Sequence, residues 1–418
     1  MAATVHIIGA GLAGLSAAVR LTECGADVVV HEASAQAGGR CRSYHDLATA
    51  MTIDNGNHLL LSGNHAALGY LRSIGSDSRL VGPSGAEFAF VDLATGEGWT
   101  LLLSDSRFPW WIFDARRRVP GTSAIDYFSM ARLLWAPEGK TICDVLTCSG
   151  SLYERLVRPL LLAGLNIDPR EGSAKLAGAL LRETLAAGGR ACRPLIARDG
   201  LGPVFIEPAL DFLQARNTIV RFSHQLRAMT FEEGGAKTLD FGDDIVSLRR
   251  GDSVILAVPP YAAAMLVPGL DPPSSFRAIL NAHFRVDPPA KLPAMLGVVN
   301  GTIEWIFAFP GRLAVTISAA DRLLDTPREA LAHTIWDEIC KLAGVSGELP
   351  PWQIVRERRA TFAATPAESA RRPGARTAWT NLFLAGDWTA TGLPPTIESA
   401  VRSGHRAAEC VGQLQSGA

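Results

Sequence analysis

The sequence predicts an α/β fold in which a discontinuous Rossmann-like domain carries an inserted α+β domain. Three observations predict it. The chain opens with a short apolar strand, a glycine-rich turn and a helix, and a second strand follows with three valines at residues 28–30. A strand, a glycine turn and a helix recur near the C-terminus, from residue 382 onward. Because 418 residues exceed one ordinary core, the middle of the chain is expected to form a second unit.

The individual elements follow from local patterns. Residues 5–8 (VHII) are predicted to form the first strand, and the helix after it is expected to begin near Ala13. Gly25 is expected to end this helix, because glycine adopts the left-handed conformation that follows many helices. The valines at 28–30 suit a strand covered on both faces. Further strands are predicted at residues 218–221, 254–258, 305–309, 313–317 and 382–385, and further helices at 151–165, 174–187 and 327–342 and from about Thr396.

The composition excludes several classes of protein. Apolar residues make up 48% and charged residues 19% of the chain, so a large core can be buried and wholesale disorder is excluded. The net charge of -1 provides no field that would gather nucleic acid. The N-terminus shows no signal-peptide pattern, and no apolar run approaches the ~18 residues of a membrane-spanning helix. Any membrane contact is therefore expected to be peripheral.

Seven cysteines are dispersed along the chain, and no two have the C-x-x-C spacing. An odd, scattered set predicts reduced thiols and a cytoplasmic location. It also predicts that the protein has no structural zinc site.

Residues 9–14 (GAGLAG) form a G-x-G-x-x-G motif after a strand and at the start of a helix. Gly9 permits a tight turn, Gly11 lets a pyrophosphate approach the backbone, and Gly14 lets the helix pack closely on the strand. The helix N-terminus offers N–H groups and a partial positive charge to the phosphates. Glu32, at the end of the second strand, can bind ribose hydroxyls. These features predict a dinucleotide site, and the alternative is an ordinary glycine-rich turn.

A second glycine pair distinguishes FAD from NAD. Residues 38–40 (GGR) follow Glu32 closely, and Arg42 comes two positions later. Two glycines permit another close backbone approach, and arginine offers a forked donor for phosphate. A simple NAD domain has no reason for this second pair, so the predicted cofactor is FAD.

Residues 32–42 resemble the second signature of the FAD-dependent amine oxidase and phytoene desaturase superfamily, and residues 384–404 resemble its third signature. The resemblance implies that Gly386 and Asp387 contact the pyrophosphate and ribitol, and that the last helix begins at the pyrimidine edge of the flavin. A helix N-terminus there would stabilise a negatively charged reduced flavin. The alternative is a terminal helix that only packs. Residues 218–226 resemble the strand whose backbone holds adenine, with Leu226 either as the contact or as a core residue.

Within that superfamily, the chain resembles the squalene-associated FAD-dependent desaturases. Four stretches carry this resemblance: residues 54–63, 158–169, 304–307 and 386–404. Residues 200–203 (GLGP) depart from the Gly-Gly start expected of the middle segment. The implied activity is the reductive removal of an allylic hydroxyl from hydroxysqualene, a polyprenyl alcohol, which gives squalene for hopanoid synthesis. It implies a dry tunnel for the substrate and, as possible partners, upstream enzymes of the squalene pathway.

The leaving hydroxyl needs an acid or a hydrogen-bond donor. His58, in the stretch that resembles the motif near the flavin, is the predicted catalytic residue, because histidine titrates in the useful range. Alternatively, His58 is a neutral structural group. Asp54 and Glu398 are further candidates, which alternatively hold turns. The residues predicted to contact FAD are Gly9, Gly11, Leu12, Ala13, Gly14, Glu32, Ala33, Gly38, Gly39, Arg40, Gly56, Asn57, Leu226, Gly386, Asp387, Pro395, Thr396 and Ile397.

Residues 108–113 (FPWWIF) precede three consecutive arginines at residues 116–118. Aromatic anchors beside basic side chains suit a membrane interface, where a polyprenyl substrate would be dissolved. One hypothesis is therefore peripheral attachment to the inner face of the cell membrane. The other is an aromatic core segment followed by solvated charges.

Two other functions stay open at this point. A carotenoid desaturase would act oxidatively on a similar hydrocarbon, and the sequence does not fix the direction of hydride flow. A protein of the GDP dissociation inhibitor type would share the fold and bind prenylated GTPases without flavin.

The predicted FAD-binding domain comprises residues 1–75, 199–265 and 378–418. The predicted substrate-binding domain comprises residues 76–198 and 266–377, including the helices that could contact a membrane.

Overall fold

The computed structural model describes residues 3–345 and 347–416. The strands in chain order are β1 Thr4–Ile8, β2 Asp27–His31, β3 Ser43–Asp46, β4 Met51–Asp54, β5 Leu59–Leu61, β6 Leu80–Val81, β7 Glu87–Asp92, β8 Gly98–Leu102, β9 Pro194–Ala197, β10 Ile219–Arg221, β11 Ala228–Glu232, β12 Gly235–Asp240, β13 Ile245–Ser247, β14 Ser253–Leu256, β15 Phe276–Phe284, β16 Met295–Val299, β17 Trp305–Phe309, β18 Arg312–Ile317, β19 Trp352–Phe362 and β20 Leu382–Leu384. The α-helices are α1 Leu12–Glu23, α2 His65–Ser73, α3 Ala124–Phe128, α4 Ile142–Val145, α5 Arg158–Leu165, α6 Ala174–Glu183, α7 Glu207–Gln214, α8 Pro260–Leu266, α9 Arg328–Ala343, α10 Pro366–Ala370 and α11 Ile397–Ser416.

A five-stranded parallel sheet carries both ends of the chain. Its order is β10-β2-β1-β14-β20. Every neighbouring pair is parallel, which is the arrangement of a Rossmann-like domain. Helices α1 and α11 cover the sheet and touch each other at Gly404, where an added Cβ would lie 2.2 Å from the carbonyl oxygen of Ala13. The predicted α/β fold is therefore confirmed. The outermost ends of the predicted FAD-binding ranges, residues 1–2 and 417–418, lie outside the described residues.

A seven-stranded mixed sheet forms the second layer. Its order is β19-β15-β18-β17-β16-β7-β8, and β16 pairs with β7 in parallel while the other pairs are antiparallel. One face packs on α9 through an apolar core that includes Leu280, Ile306 and Val315. The other face points towards the parallel sheet and the helices α3 to α6, and its aromatic side chains join a separate core. That second face is the one that meets the site described below.

Several predicted elements have different limits in the structure. The predicted helix at residues 151–165 is present, but Tyr153–Val157 is a π-helical turn that leads into α5. The predicted helix at residues 174–187 ends at Glu183, and Leu185–Ala187 forms a separate 3-10 turn. The strand predicted at residues 254–258 ends at Leu256, before Pro259, the N-cap of α8, and Pro260, its first residue.

The prediction that all thiols are reduced is wrong for one pair. A disulfide joins Cys143 to Cys148, whose Cα atoms lie 5.6 Å apart, within the range that a disulfide spans. The chain turns at the end of α4 and brings these two residues together, although their spacing is not C-x-x-C. Cys24, Cys41, Cys192, Cys340 and Cys410 are free.

In the described part of the chain, no helix combines the length and the apolar character needed to cross a membrane.

Candidate active site

The glycines of residues 9–14 have different physical roles. Gly9 has φ +105, and an added Cβ would lie 2.6 Å from the carbonyl oxygen of Ala257. A Cβ on Gly14 would lie 1.9 Å from the carbonyl oxygen of Gly9. A Cβ on Gly11 would meet nothing within 4 Å. Gly9 and Gly14 are thus required by the fold itself, whereas Gly11 borders open space at the start of α1.

The second glycine pair lies directly against the first motif. The N–H of Gly38 donates to the carbonyl oxygen of Ala10 at 2.8 Å. A Cβ on Gly39 would lie 3.6 Å from the Cα of Gly11. Glu32 closes the same loop, because its carboxylate accepts the N–H of Ala10 at 2.7 Å and that of Ser34 at 2.9 Å. The two sequence motifs therefore form one cradle, with Ala33 in the turn that leaves β2.

Arg40 and Asp387 meet at the edge of this cradle. Their Nη2 and Oδ1 atoms are 2.7 Å apart, and Arg40 also donates to the carbonyl oxygen of Ala360. The side chain of Arg40 is 44% exposed, as in an open cleft, whereas that of Asp387 is 8% exposed. Burial lowers the pKa of Arg40, but the carboxylate of Asp387 outweighs it, so the pKa is raised and the charge is retained. Arg42 instead donates to the carbonyl oxygen of Gly39 at 2.7 Å.

Sequence analysis missed the residue that holds the third motif in place. The buried guanidinium of Arg372 donates to the carbonyl oxygens of Leu393, at 2.7 Å, and Asp387, at 3.1 Å. Burial lowers the pKa of Arg372 to about 10, which still leaves it charged at neutral pH. It also donates to the carbonyl oxygen of Thr389 and to the hydroxyl of Thr391, and no local motif marks an arginine with such partners. The hydroxyl of Thr396 accepts the N–H of Ser399 at 3.2 Å. Thr396, which follows Pro395 and precedes Ile397, therefore caps the N-terminus of α11.

The loop that contains Gly56, Asn57 and His58 is held by the seven-stranded sheet. Asn57 Nδ2 donates to Thr316 Oγ1 at 3.1 Å, and Asn281 Oδ1 accepts the backbone N–H of Asn57 at 3.3 Å. Thr316 also donates to Asn281 Oδ1 at 2.8 Å. Asn57 Oδ1 is buried and has no partner among the described residues. A buried acceptor of this kind fits a ligand that brings its own donor.

His58 is a neutral imidazole at physiological pH. Burial lowers its pKa to about 4; Asp54 opposes this shift and Arg40 adds to it.

The two weaker acid candidates, Asp54 and Glu398, already bind other groups of the protein. Asp54 Oδ1 accepts the N–H of Leu201 at 2.8 Å and the hydroxyl of Ser43 at 2.6 Å.

Glu398 is also bound within the fold. Its carboxylate accepts the N–H groups of Ala66 and Ala67 at 3.1 and 2.8 Å, at the start of α2, and Arg402 pairs with it at 3.0 Å. The geometry of both acids favours the alternative that they hold turns. Another acid has a useful protonation state: burial raises the pKa of Glu304 to about 7, and its Oε2 accepts the N–H of Ser318 at 2.8 Å.

Leu226 keeps both of its interpretations. Its side chain is 7% exposed and packs in the core. It also lies just after β10, beside the segment where the N–H of His224 donates to the carbonyl oxygen of Glu32 at 2.8 Å. A backbone contact to adenine and a side chain in the core are compatible at this position.

The arrangement fits FAD. Helix α1 has no side-chain hydrogen bond at its N-cap, Gly11 borders open space, and Arg40 is charged and accessible in the cleft beside it. Free helix N–H groups and a forked cation are the groups that bind a pyrophosphate. Fold and site together define an FAD-dependent oxidoreductase.

Comparison with known proteins identifies the family. Residues 12–412 match the model of the flavin containing amine oxidoreductases. A hydroxysqualene dehydroxylase of Rhodopseudomonas palustris is 61% identical over 98% of this chain and 99% of its own length. One from Zymomonas mobilis is 48% identical over 97% and 98%. The chain therefore belongs to the hydroxysqualene dehydroxylases, within the flavin containing amine oxidoreductases.

A solved oxidoreductase of Methanosarcina mazei has the same fold. Its TM-score is 0.74 over 97% of this chain and 100% of that chain, at 16% sequence identity.

Proposed function

We propose that this protein uses reduced FAD to convert hydroxysqualene to squalene. The observation that carries the proposal is the similarity, along almost the full length of both chains, to relatives named hydroxysqualene dehydroxylase. FAD and an oxidoreductase activity are shared with the family. The non-catalytic alternative of the GDP dissociation inhibitor type is therefore not retained.

The reaction balances with one proton and one hydride. The carbon–oxygen bond of the allylic alcohol breaks, the oxygen takes its bonding electrons and a proton, and water leaves. Reduced FAD, when bound, would supply the hydride for the new carbon–hydrogen bond. The protein must bind the alcohol in a dry site, orient its allylic carbon and assist the departing oxygen.

We propose that each residue of the cradle contacts the part of FAD that its position in the structure favours. The start of α1 at Gly11, Leu12 and Ala13 would bind the pyrophosphate together with Arg40. Glu32 would receive a ribose hydroxyl, although its carboxylate already holds the glycine loop. Asp387 and the start of α11 would bind the ribitol and the pyrimidine edge. Asn57 Oδ1, buried without a partner among the described residues, would accept a hydrogen bond from the flavin.

His58 is proposed to help the hydroxyl leave. Because its pKa is about 4, it would act at neutral pH as a hydrogen-bond donor through its N–H, not as an imidazolium.

Peripheral membrane contact is proposed through an exposed apolar surface, defined by Phe108, Trp110, Phe113, Ile125, Phe128 and Trp135. Their exposed fractions lie between 46% and 78%. The segment 108–113 divides between the two earlier hypotheses, because Trp111 is only 4% exposed and its ring packs edge-on against Tyr127. Arg116 is exposed, whereas Arg118 donates to backbone oxygens within the fold. The substrate would enter from the lipid, and squalene formed here would serve hopanoid synthesis.

The division into an FAD-binding and a substrate-binding domain stays a proposal with the ranges given above.

A substrate test separates the proposed function from a carotenoid desaturase. Purified protein is incubated without oxygen with hydroxysqualene and chemically reduced FAD, and in parallel with phytoene and oxidised FAD. Squalene in the first mixture supports the proposal, and a desaturated product in the second alone favours the desaturase.

A further inference from the structure

One row of residues crosses the seven-stranded sheet on the face opposite α9. Directly paired residues on neighbouring strands point to the same face. Residues that alternate with the row, such as Val315 and Ile306, pack instead in the core against α9. The members of this cross-sheet row, each paired in register with the next, are Asn281, Thr316, Trp305, Gly297, Phe90 and Trp99.

The row begins beside the loop proposed to touch the flavin. Asn281 and Thr316 both bind Asn57, at the distances given above. Trp305 is the next member, paired with Thr316 across the strands β17 and β18. A ligand that lies over Trp305 is therefore next to Thr316, which binds Asn57 in that loop.

The rest of the row is aromatic except for Gly297, over which the neighbouring rings pack. The ring of Phe90 lies between those of Trp305 and Trp99, with centroid distances of 5.5 and 5.7 Å. A Cβ on Gly297 would lie 2.5 Å from the ring of Phe90 and 3.2 Å from that of Trp305. The absence of a side chain at Gly297 thus lets both rings lie close to the sheet. Three strand spacings, ~14 Å, separate Trp305 from Trp99.

Trp305 brings a polar group into this apolar floor. The residue is 8% exposed, and its buried Nε1 has no hydrogen-bond partner among the described residues. Leaving a buried N–H unpaired is costly, so native proteins seldom do so. Trp99 also has an unpartnered Nε1, but it lies at the far end of the row, with the guanidinium of Arg155 4.8 Å from its ring centroid.

We propose that the indole N–H of Trp305 donates a hydrogen bond to the oxygen of the substrate's allylic hydroxyl, while one polyprenyl arm lies along the row towards Trp99. The inference rests on the proposed function and names the residue that selects a hydroxylated substrate. A hydrocarbon of similar shape leaves this donor unpaired, and sites built to bind a hydroxyl reject analogues that lack it. The indole holds the oxygen, and the proton comes from another group.

The variant Trp305→Phe tests this, because it keeps an aromatic ring and removes the N–H. Dissociation constants for hydroxysqualene and for squalene are measured on the oxidised flavoprotein, from the change in flavin absorption. We expect hydroxysqualene to bind roughly 5–100-fold more weakly, with squalene binding and flavin content unchanged. Trp99→Phe is the matched control, since it removes the other buried, unpartnered indole N–H among the described residues and should alter neither ligand selectively.

Three results would overturn the inference. In the first, Trp305→Phe binds hydroxysqualene as tightly as the wild-type protein does. In the second, the variant loses as much affinity for squalene as for hydroxysqualene, which would show that Trp305 has a packing role. The third requires no variant: equal affinities of the wild-type protein for the alcohol and the hydrocarbon. Failure of the wild-type protein to convert hydroxysqualene, with selective binding of the alcohol intact, would instead contradict the proposed function alone.

Discussion

Arg40 and Asp387 form an ion pair of 2.7 Å although 347 residues separate them in the chain. Asp387 is supplied by the last strand–turn–helix unit and Arg40 by the glycine pair that follows β2. The pair therefore joins the segments that follow β2 and β20 at the edge of the cofactor cradle. Arg40 retains accessible surface beside Gly39, so it can bind a phosphate and Asp387 at once.

Replacing Arg40 should weaken FAD binding more than replacing Arg42. Arg40→Ala removes the partner of Asp387 and a forked donor in the cleft, whereas Arg42 donates to the carbonyl oxygen of Gly39. Loss of a charge-assisted hydrogen bond suggests a ~10–100-fold higher dissociation constant for Arg40→Ala. Titration of both apoproteins with FAD measures this, and equal affinities would remove the assigned role of Arg40.

Gly11→Val should fold but bind little FAD. A Cβ here meets no protein atom within 4 Å, and the side chain would enter the space assigned to the pyrophosphate. Gly14→Ala is the contrasting variant, because its Cβ would lie 1.9 Å from the carbonyl oxygen of Gly9 and should impair folding itself. Circular dichroism and flavin content after purification separate the two effects. Gly11→Val protein with full flavin would show that the pyrophosphate lies elsewhere.

His58→Ala should retain FAD and slow the chemical step by ~10²–10⁴-fold, and His58→Gln, still a donor, should lose less. The pH dependence of the rate tests whether His58 acts as a neutral imidazole or as an imidazolium. With a pKa of about 4, the imidazole stays neutral between about pH 6 and 9, so its contribution should be flat there. An imidazolium acid would instead make the rate rise about tenfold for each unit of falling pH in that range. Anaerobic single-turnover kinetics measure both, and an unchanged rate in His58→Ala would make His58 structural.

The double variant Trp110→Ser, Phe113→Ser should release the protein from anionic liposomes while flavin stays bound. Both side chains are more than half exposed, at 62% and 53%, and can enter a lipid interface. Trp111→Ser is the control, because Trp111 is buried against Tyr127 and should lower thermal stability instead. Unchanged liposome partition of the double variant would assign this surface another role.

Local patterns were sufficient for much of the fold. The strand at residues 305–309 and the glycine cradle have the predicted limits, since alternation and turn chemistry act over a few residues. The cross-sheet row could not be predicted, because Thr316, Trp305 and Phe90 become neighbours only through the register of distant strands. Arg372 escaped notice because it binds mainly carbonyl oxygens that lie 15 to 21 residues further along the chain. The division between exposed Trp110 and buried Trp111 also depends on packing, which a run of aromatic letters does not encode.

The most direct test of the account is anaerobic single-turnover reoxidation of the reduced flavoprotein by hydroxysqualene. Flavin absorption follows the oxidation, and extraction of the quenched mixture quantifies squalene. One squalene should form for each FAD oxidised, and no reoxidation should occur when squalene replaces the alcohol. Flavin that stays reduced in the presence of hydroxysqualene, or that is oxidised without forming squalene, would contradict it.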